Sequence, residues 1–277
     1  ALEELTNKNN FYPGKNDFSE KFSIPQKLYG RQKEIEILKE TFEKNSSSDL
    51  FQISNPEESQ YRIALQLVCG YSGIGKTSLI KELNQSILEK NGFFITGKFE
   101  QFQRNVPFFA IAQAFKELIN QILVKEEIQL EKWKDELQYA LGSIGQVIID
   151  VIPEVEILIG KQKEVSEIPP DQAVNRFYYV FGQFLKVFTK KEHPLVLFLD
   201  DLQWADQASL VLLKNLLSDS QITQFFVIGS YRDNEVDSSH LLNFFIHELE
   251  RNGTAIPLIR LGNLDKESIA SIVNDTL

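Results

Sequence analysis

The 277 residues include no methionine and only one cysteine. With Cys69 as the sole thiol, no disulfide can close within the chain, which excludes a small cross-linked scaffold and favours a reducing compartment. Cys69 ends an apolar run, where a small thiol packs well, so core filling is expected of it. The lack of any methionine, an initiator included, leads us to expect an excised piece of a longer chain. No uninterrupted run of about 18 apolar residues occurs. The closest approach, 145–160, is broken by Asp150, Pro153, Glu154 and Glu156. The first residues, ALEELTNKNN, show neither a basic nor an apolar stretch, and a cytoplasmic protein without a membrane partner is expected. Basic charge is also scarce: 29 Lys and Arg face 39 Asp and Glu, a formal charge of −10. Such a field repels nucleic acid. The three histidines, His193, His240 and His247, lie at unrelated spacings without cysteine or paired carboxylates nearby, which speaks against a metal site built on imidazole.

What is present suits a globular chain with a sizeable core: 43% hydrophobic and 25% charged residues. Short, nearly continuous apolar runs at 64–69, 93–96, 195–199, 225–230 and 256–261 predict strands buried on both faces of a parallel sheet. Between them, helical periodicity covers about 76–90, 108–124, 127–142, 171–191, 207–217 and 238–250. Ile35, Leu38 and Phe42 mark an earlier helix over 31–44. This alternation predicts a doubly wound α/β fold. The stretch 109–190 exceeds one crossover and predicts a helical insertion beside the sheet, broken by Pro169-Pro170. The following aromatic stripe of Phe177, Tyr178, Phe181 and Phe184 is expected to be core. Residues 1–27 read as a polar arm and 45–60 as a solvated loop.

The most informative segment is LQLVCGYSGIGKTSLI at 65–80. An apolar strand, a glycine loop and a helix start follow one another, and Gly70-Tyr71-Ser72-Gly73-Ile74-Gly75-Lys76-Thr77 satisfies G-x-x-x-x-G-K-[ST]. Glycines admit left-handed angles and let a phosphate approach successive amides, which form a concave anion site. Lys76 is expected to carry charge to the terminal phosphates and Thr77 to offer its hydroxyl to Mg²⁺, with Ser78 completing the cradle at the helix start. A second apolar strand, PLVLFLDD, ends in Asp200-Asp201. Asp200 is predicted to hold Mg²⁺ through a water, and Asp201 to orient or deprotonate the attacking water. Asp206 precedes a helix and is predicted to cap it. Arg232 follows the strand FFVIGSY at the same carboxyl edge, where ligands of open α/β sheets bind, and is a candidate γ-phosphate contact. Arg251 is expected only to favour a helix C-terminus.

Together, LYGRQKEIEIL at 28–38, GYSGIGKTS at 70–78, GKFEQFQRNVPFFAIAQAF at 97–115 and PLVLFLDDLQWAD at 194–206 resemble the AAA-type ATPase domain of the signal-transduction ATPases with numerous domains. The likeness is strongest to the module that bacterial, notably cyanobacterial, multidomain proteins carry between a serine/threonine kinase and a sensor histidine kinase. It runs from about Asp17 to the C-terminus. It implies a P-loop NTPase fold: a five-stranded parallel sheet of order 5-1-4-3-2, helices on both faces, and a helical insertion before the Walker B strand that bears the acids. It also implies that Gly30 and Arg31 lie near the adenine, and that Asp200, Asp201 and Arg232 are the acidic pair and the arginine after the fourth strand. Arg176 in NRF matches a family pattern to which no role is attached. The domain is expected over 28–262, with 263–277 as the start of a helical lid.

The expected ligands are therefore ATP and Mg²⁺. ATP rather than GTP follows from the resemblance and from the lack of an N/T-K-x-D tetrapeptide. Three functions remain open: an ATP-hydrolysing switch passing its state to attached or partnered signalling domains, with nucleotide-dependent self-association; a module that holds ATP or ADP with little turnover; and an origin-recognition-like ATPase acting on DNA, against which the acidic balance speaks.

Overall fold

The computed structural model describes residues 28–46 and 64–276. The arm expected over 1–27 and most of the loop expected over 45–60 lie outside the described residues. The described residues within 31–263 form one compact unit; residues 28–30 and 264–276 belong to a second, small one.

Five strands, β1 (Leu65–Cys69), β2 (Phe93–Lys98), β3 (Leu195–Asp200), β4 (Phe225–Tyr231) and β5 (Leu258–Arg260), build the sheet of the large unit. Their order is β2-β3-β4-β1-β5, and every pairing is parallel. Read from the other edge this is 5-1-4-3-2, the order the resemblance implied. Because side chains alternate along a strand, each buried strand feeds two cores. Leu65, Leu67, Leu195, Leu197, Phe225 and Val227 enter the larger core with the helical insertion. Val68, Val196, Phe198, Phe226 and Ile228 turn to the opposite face and are equally buried.

That second face is covered by α1 (Gln32–Ser46), α2 (Lys76–Lys81) and α3 (Asn84–Glu89), with Phe42 of α1 meeting Phe226 at 6.3 Å between ring centroids. Asn45 at the end of α1 donates to the carbonyl of Phe225 at 3.1 Å, fastening the helix to the start of β4. The single helix expected over 76–90 is two. The amides of Glu82 and Leu83 reach back three residues, to Leu79 at 3.2 Å and Ile80 at 3.1 Å, which tightens the turn and interrupts the α ladder.

The insertion comprises α4 (Phe109–Leu123), α5 (Glu127–Leu141), α6 (Gln146–Ile149), α7 (Val155–Ile159) and α8 (Pro170–Phe188). Pro170 occupies the first turn of α8, where a missing amide hydrogen costs nothing. Phe177, Phe181, Phe184 and Phe188 recur at spacings of four, three and four on α8 and so share one stripe. Phe184 lies 5.5 Å from Phe115 of α4, 5.8 Å from Phe181 and 5.0 Å from Phe188, in tilted and edge-to-face arrangements that aromatic quadrupoles favour. The stripe is core packing, as its periodicity predicted. Two further helices of the large unit among the described residues are α9 (Gln207–Ser218) and α10 (Leu241–Arg251). In the small unit, α11 (Lys266–Thr276) is capped by Asp265, and the Tyr29 hydroxyl donates to Asp275 at 2.6 Å.

Candidate functional site

The carboxyl ends of β1, β3 and β4 deliver the predicted residues to one edge of the sheet. Gly73 and Gly75 have φ of +75° and +98°, angles open to glycine alone at little cost. A Cβ at either would meet nothing within 4 Å, so the loop leaves an open concavity rather than filling it with its own side chains. Ser72, Gly73, Gly75, Lys76, Thr77, Ser78, Lys98, Asp200, Asp201 and Arg232 line a crevice of about 320 Å³. Cationic and anionic side chains thus converge on a space bounded by backbone amides.

Lys76 opens α2 and is buried, only 7% exposed. Its ammonium donates to the carbonyls of Gly70 at 2.8 Å and Tyr71 at 2.9 Å, two groups of the loop itself. Burial pushes its pKa below the ordinary lysine value, and the nearby Asp200 and Asp201 carboxylates partly oppose that shift. The Thr77 hydroxyl donates to Asp200 at 3.1 Å. Asp200, the last residue of β3, also accepts from the Ser230 hydroxyl and from the amide of Asp201. A hydroxyl and a carboxylate meeting beside an open concavity are hard oxygen donors, the set Mg²⁺ requires, and the residues present fit that ion.

Asp201 leaves the strand in the left-handed region, with φ 57° and ψ 46°, before the short 3-10 turn Leu202–Trp204. A non-glycine residue there is strained, and such strain persists where neighbours enforce it. The Asp201 carboxylate accepts from the Gln203 amide at 2.8 Å and lies 3.4 Å from Arg232 and 3.8 Å from Lys98. Arg232 pairs with Glu235 at 2.7 Å as well, and its guanidinium stands 4.8 Å over the Trp204 ring. The Glu235 hydrogen bond, foremost, holds its pKa above the ordinary arginine value. Arg232 thus both lines the crevice and pairs with its neighbour three residues on.

The remaining predicted residues are placed differently. Tyr71 is exposed at the loop. The Ile74 amide closes a loop turn on the Tyr71 carbonyl at 3.4 Å, and Gly70 ends β1's run with its φ at +151°. Arg31 is buried and donates to the Gly262 carbonyl at 2.6 Å and to Glu34 at 3.3 Å; it is not among the crevice-lining residues. Gly30 belongs to the small unit, with φ +64° and a Cβ position occupied by the Ser268 hydroxyl. Asp206 accepts from the Ser209 amide at 2.8 Å and caps α9, as its position predicted. Arg251 lies in the last turn of α10. Arg176, in α8, donates to the Ser166 carbonyl at 2.9 Å.

Sequence reasoning passed over Lys98, Ser230, Gln203 and Trp204. The first two were findable: Lys98 ends β2 opposite Asp200 in the register, and Ser230 sits next to last in β4, so both occupy the edge where such sheets bind ligands. Gln203 and Trp204 carry no motif of their own.

A parallel sheet of this order, with a glycine loop opening into a helix and paired acids across from it, defines the P-loop NTPase class. The pattern of the family described as "AAA ATPase domain" matches residues 27–228, and the chain belongs to that family. Among characterised proteins it is 39% identical over 196 residues to Hybrid signal transduction histidine kinase G of Dictyostelium discoideum, an alignment covering 70% of this chain and 5% of that protein. Histidine protein kinase 1 of Candida albicans is 23% identical over 256 residues, covering 86% and 10%. Peroxide stress-activated histidine kinase mak3 of Schizosaccharomyces pombe is 22% identical over 305 residues, covering 83% and 13%. The chain therefore spans only a small part of these relatives. The solved structure of Cdc6p from Pyrobaculum aerophilum superposes with a TM-score of 0.46 at 15% identity, covering 94% of this chain and 53% of that one. That likeness is too loose to carry function. Among the described residues, no helix is long and apolar enough to cross a membrane.

Proposed function

We propose that this module binds Mg-ATP in the crevice, hydrolyses it, and acts as a switch within a larger signalling protein. The observation that carries the reading is the Thr77–Asp200 contact at 3.1 Å on the same edge as Lys76, which joins the phosphate loop to the acidic strand. Thr77 and Asp200 would hold Mg²⁺, which when bound would neutralise charge on the phosphate oxygens. The loop amides from Gly73 to Thr77 would cradle the phosphates. Lys76, released from the Gly70 and Tyr71 carbonyls, would bring its ammonium to the terminal phosphates. Asp201 would orient a water and accept its proton at a carboxylate oxygen, and Arg232 would stabilise charge at the terminal phosphate. Gly30 and Arg31 remain proposed neighbours of the base, by resemblance alone. The histidine-kinase names of the relatives, with the resemblance to the signal-transduction ATPases with numerous domains, support a signalling context. Nucleotide state would reach attached domains through ordering of loop and lid, 263–277 being the proposed lid start.

One observation favours a second reading, a module that holds nucleotide and seldom turns it over. The cations of the crevice have partners within the chain: Lys76 the loop carbonyls, Arg232 the Asp201 and Glu235 carboxylates. The formal charge of −10 gives a DNA-acting reading no support. Calorimetric titration with Mg-ATP followed by single-turnover phosphate release separates these. We expect saturable binding that weakens when EDTA removes the metal. Asp201→Asn is expected to keep binding while phosphate release falls by roughly 10²- to 10⁴-fold. Absence of Mg-ATP binding would overturn the site; unchanged release in Asp201→Asn would remove the proposed role of that carboxylate. Binding without release in the wild type would establish the holding module instead.

A further inference from the structure

Gln203 is 1% exposed, and both ends of its side-chain amide are engaged. The Nε2 group donates to Asp201 at 2.8 Å, and Oε1 accepts from the backbone amide of Arg232 at 3.1 Å. Its own carbonyl accepts from Arg104 Nη2 at 2.5 Å. A burial this complete is uncommon for glutamine and is tolerated because each polar atom has a partner. The primary amide serves both contacts at once, its nitrogen as donor and its oxygen as acceptor. A carboxylate would face Asp201 with like charge, and a hydrocarbon would leave the Asp201 oxygen and the Arg232 amide short of a partner.

We infer that Gln203 is a positioning residue that sets the geometry of Asp201 and of Arg232 together, one amide fixing the distance between the proposed base and the proposed phosphate contact. This rests on the hydrolysis reading above. The physical need is plain at Asp201. Its backbone is held in a strained left-handed conformation at the end of β3, and the Gln203 donor fixes one carboxylate oxygen against rotation. The remaining Asp201 oxygen faces Lys98 at 3.8 Å. On the other side, anchoring the Arg232 amide fixes where the side chain leaves the chain, over the Trp204 ring. Supporting contacts of this kind, removed singly, typically lower activity by about 10- to 100-fold.

The test is a double-mutant cycle on single-turnover phosphate release, with Mg-ATP affinity measured alongside. Gln203→Met, of similar length but without polar atoms, is expected to lower the rate constant by about 10- to 100-fold while the dissociation constant for Mg-ATP stays within about twofold of wild type. Gln203→Glu, which keeps the acceptor for Arg232 but sets a carboxylate against Asp201, is expected to be slower still. In an Asp201→Asn background, Gln203→Met is expected to cost much less rate than in the wild type, only the share carried through Arg232 remaining, because residues acting through one another are not additive. Losses that multiply, or a Gln203→Met rate equal to wild type, would overturn the inference. A loss of Mg-ATP affinity that matches the loss of rate would assign Gln203 to the fold instead. If the wild type binds Mg-ATP and releases no phosphate, the hydrolysis reading falls by itself. The link is then read from Trp204 emission with Trp133→Phe removing the other indole: Gln203→Met is expected to shift that emission by loosening Arg232 from the ring, and unchanged emission would overturn the link.

Discussion

The aromatic wall between α4 and α8 and the charged crevice at the carboxyl edge of the sheet are built by opposite rules. In the wall, Phe115, Phe181, Phe184 and Phe188 are fully buried and pack ring against ring, and any hydrophobic side chain of the right volume contributes in proportion to its buried area. In the crevice, Lys76, Asp201 and Gln203 are almost as inaccessible, but each is tolerated only through named partners. The difference teaches where each region tolerates change: the wall responds to volume, the crevice to the loss of a single hydrogen.

The sharpest way to test that contrast is to damage each side separately. Phe184→Ala removes a fully buried ring and is expected to lower stability by about 3–5 kcal/mol, read from the denaturant midpoint, while the folded protein still binds Mg-ATP. Loss of binding in the folded state would show that the wall and the crevice are not independent. Lys76→Ala should do the reverse. Affinity for Mg-ATP is expected to fall by roughly 30- to 3000-fold, about 2–5 kcal/mol, measured by titration. Its nucleotide-free melting temperature should move little, because lost bonds to the Gly70 and Tyr71 carbonyls are offset by relief of a desolvated ammonium. Equal binding by wild type and variant would remove Lys76 from the site.

Smaller effects sharpen the boundary between the regions. Asp206 stands just beyond the acidic pair in sequence but caps α9, so Asp206→Ala is expected to cost about 1 kcal/mol of stability in thermal unfolding and to leave affinity for Mg-ATP unchanged. Cys69 lies directly before the loop yet belongs with the apolar side. It is fully buried, and burial pushes its thiol above the ordinary cysteine value. A thiol reagent at pH 8 is expected to leave it unmodified until the chain unfolds, and labelling of the folded protein would place it on the ligand side instead.

Most of the wall and half of the crevice were legible in the sequence. Periodicity is the imprint of burial itself, so β1 to β4 and the stripe on α8 fell within a few residues of their predicted bounds. β5 is shorter than its apolar run, since Leu258–Arg260 alone pairs with β1 and the flanks make single bonds. The split between α2 and α3 was not legible, because two three-residue hydrogen bonds leave no mark on the apolar pattern. In the crevice, the placement of the loop and Asp200 was legible because the motif fixes residue type at fixed spacing between a strand and a helix. Gln203 was not: what recruits it is the meeting of Asp201 with the Arg232 amide on β4's exit, 29 residues from Gln203, a tertiary coincidence. The sheet order came from resemblance, since parallel strands of equal hydrophobicity carry no label of their neighbours.

The Lys76 ammonium already rests on two carbonyls of its own bend. Occupancy of the bend is therefore an exchange of partners rather than the filling of a vacant charge. An anion must outbid two neutral oxygens before it gains the cation, which favours densely charged polyphosphates over chloride or a lone carboxylate. In the proposed phosphate site, selectivity for highly charged guests would thus begin in the loop itself, ahead of any contact with a base or a sugar.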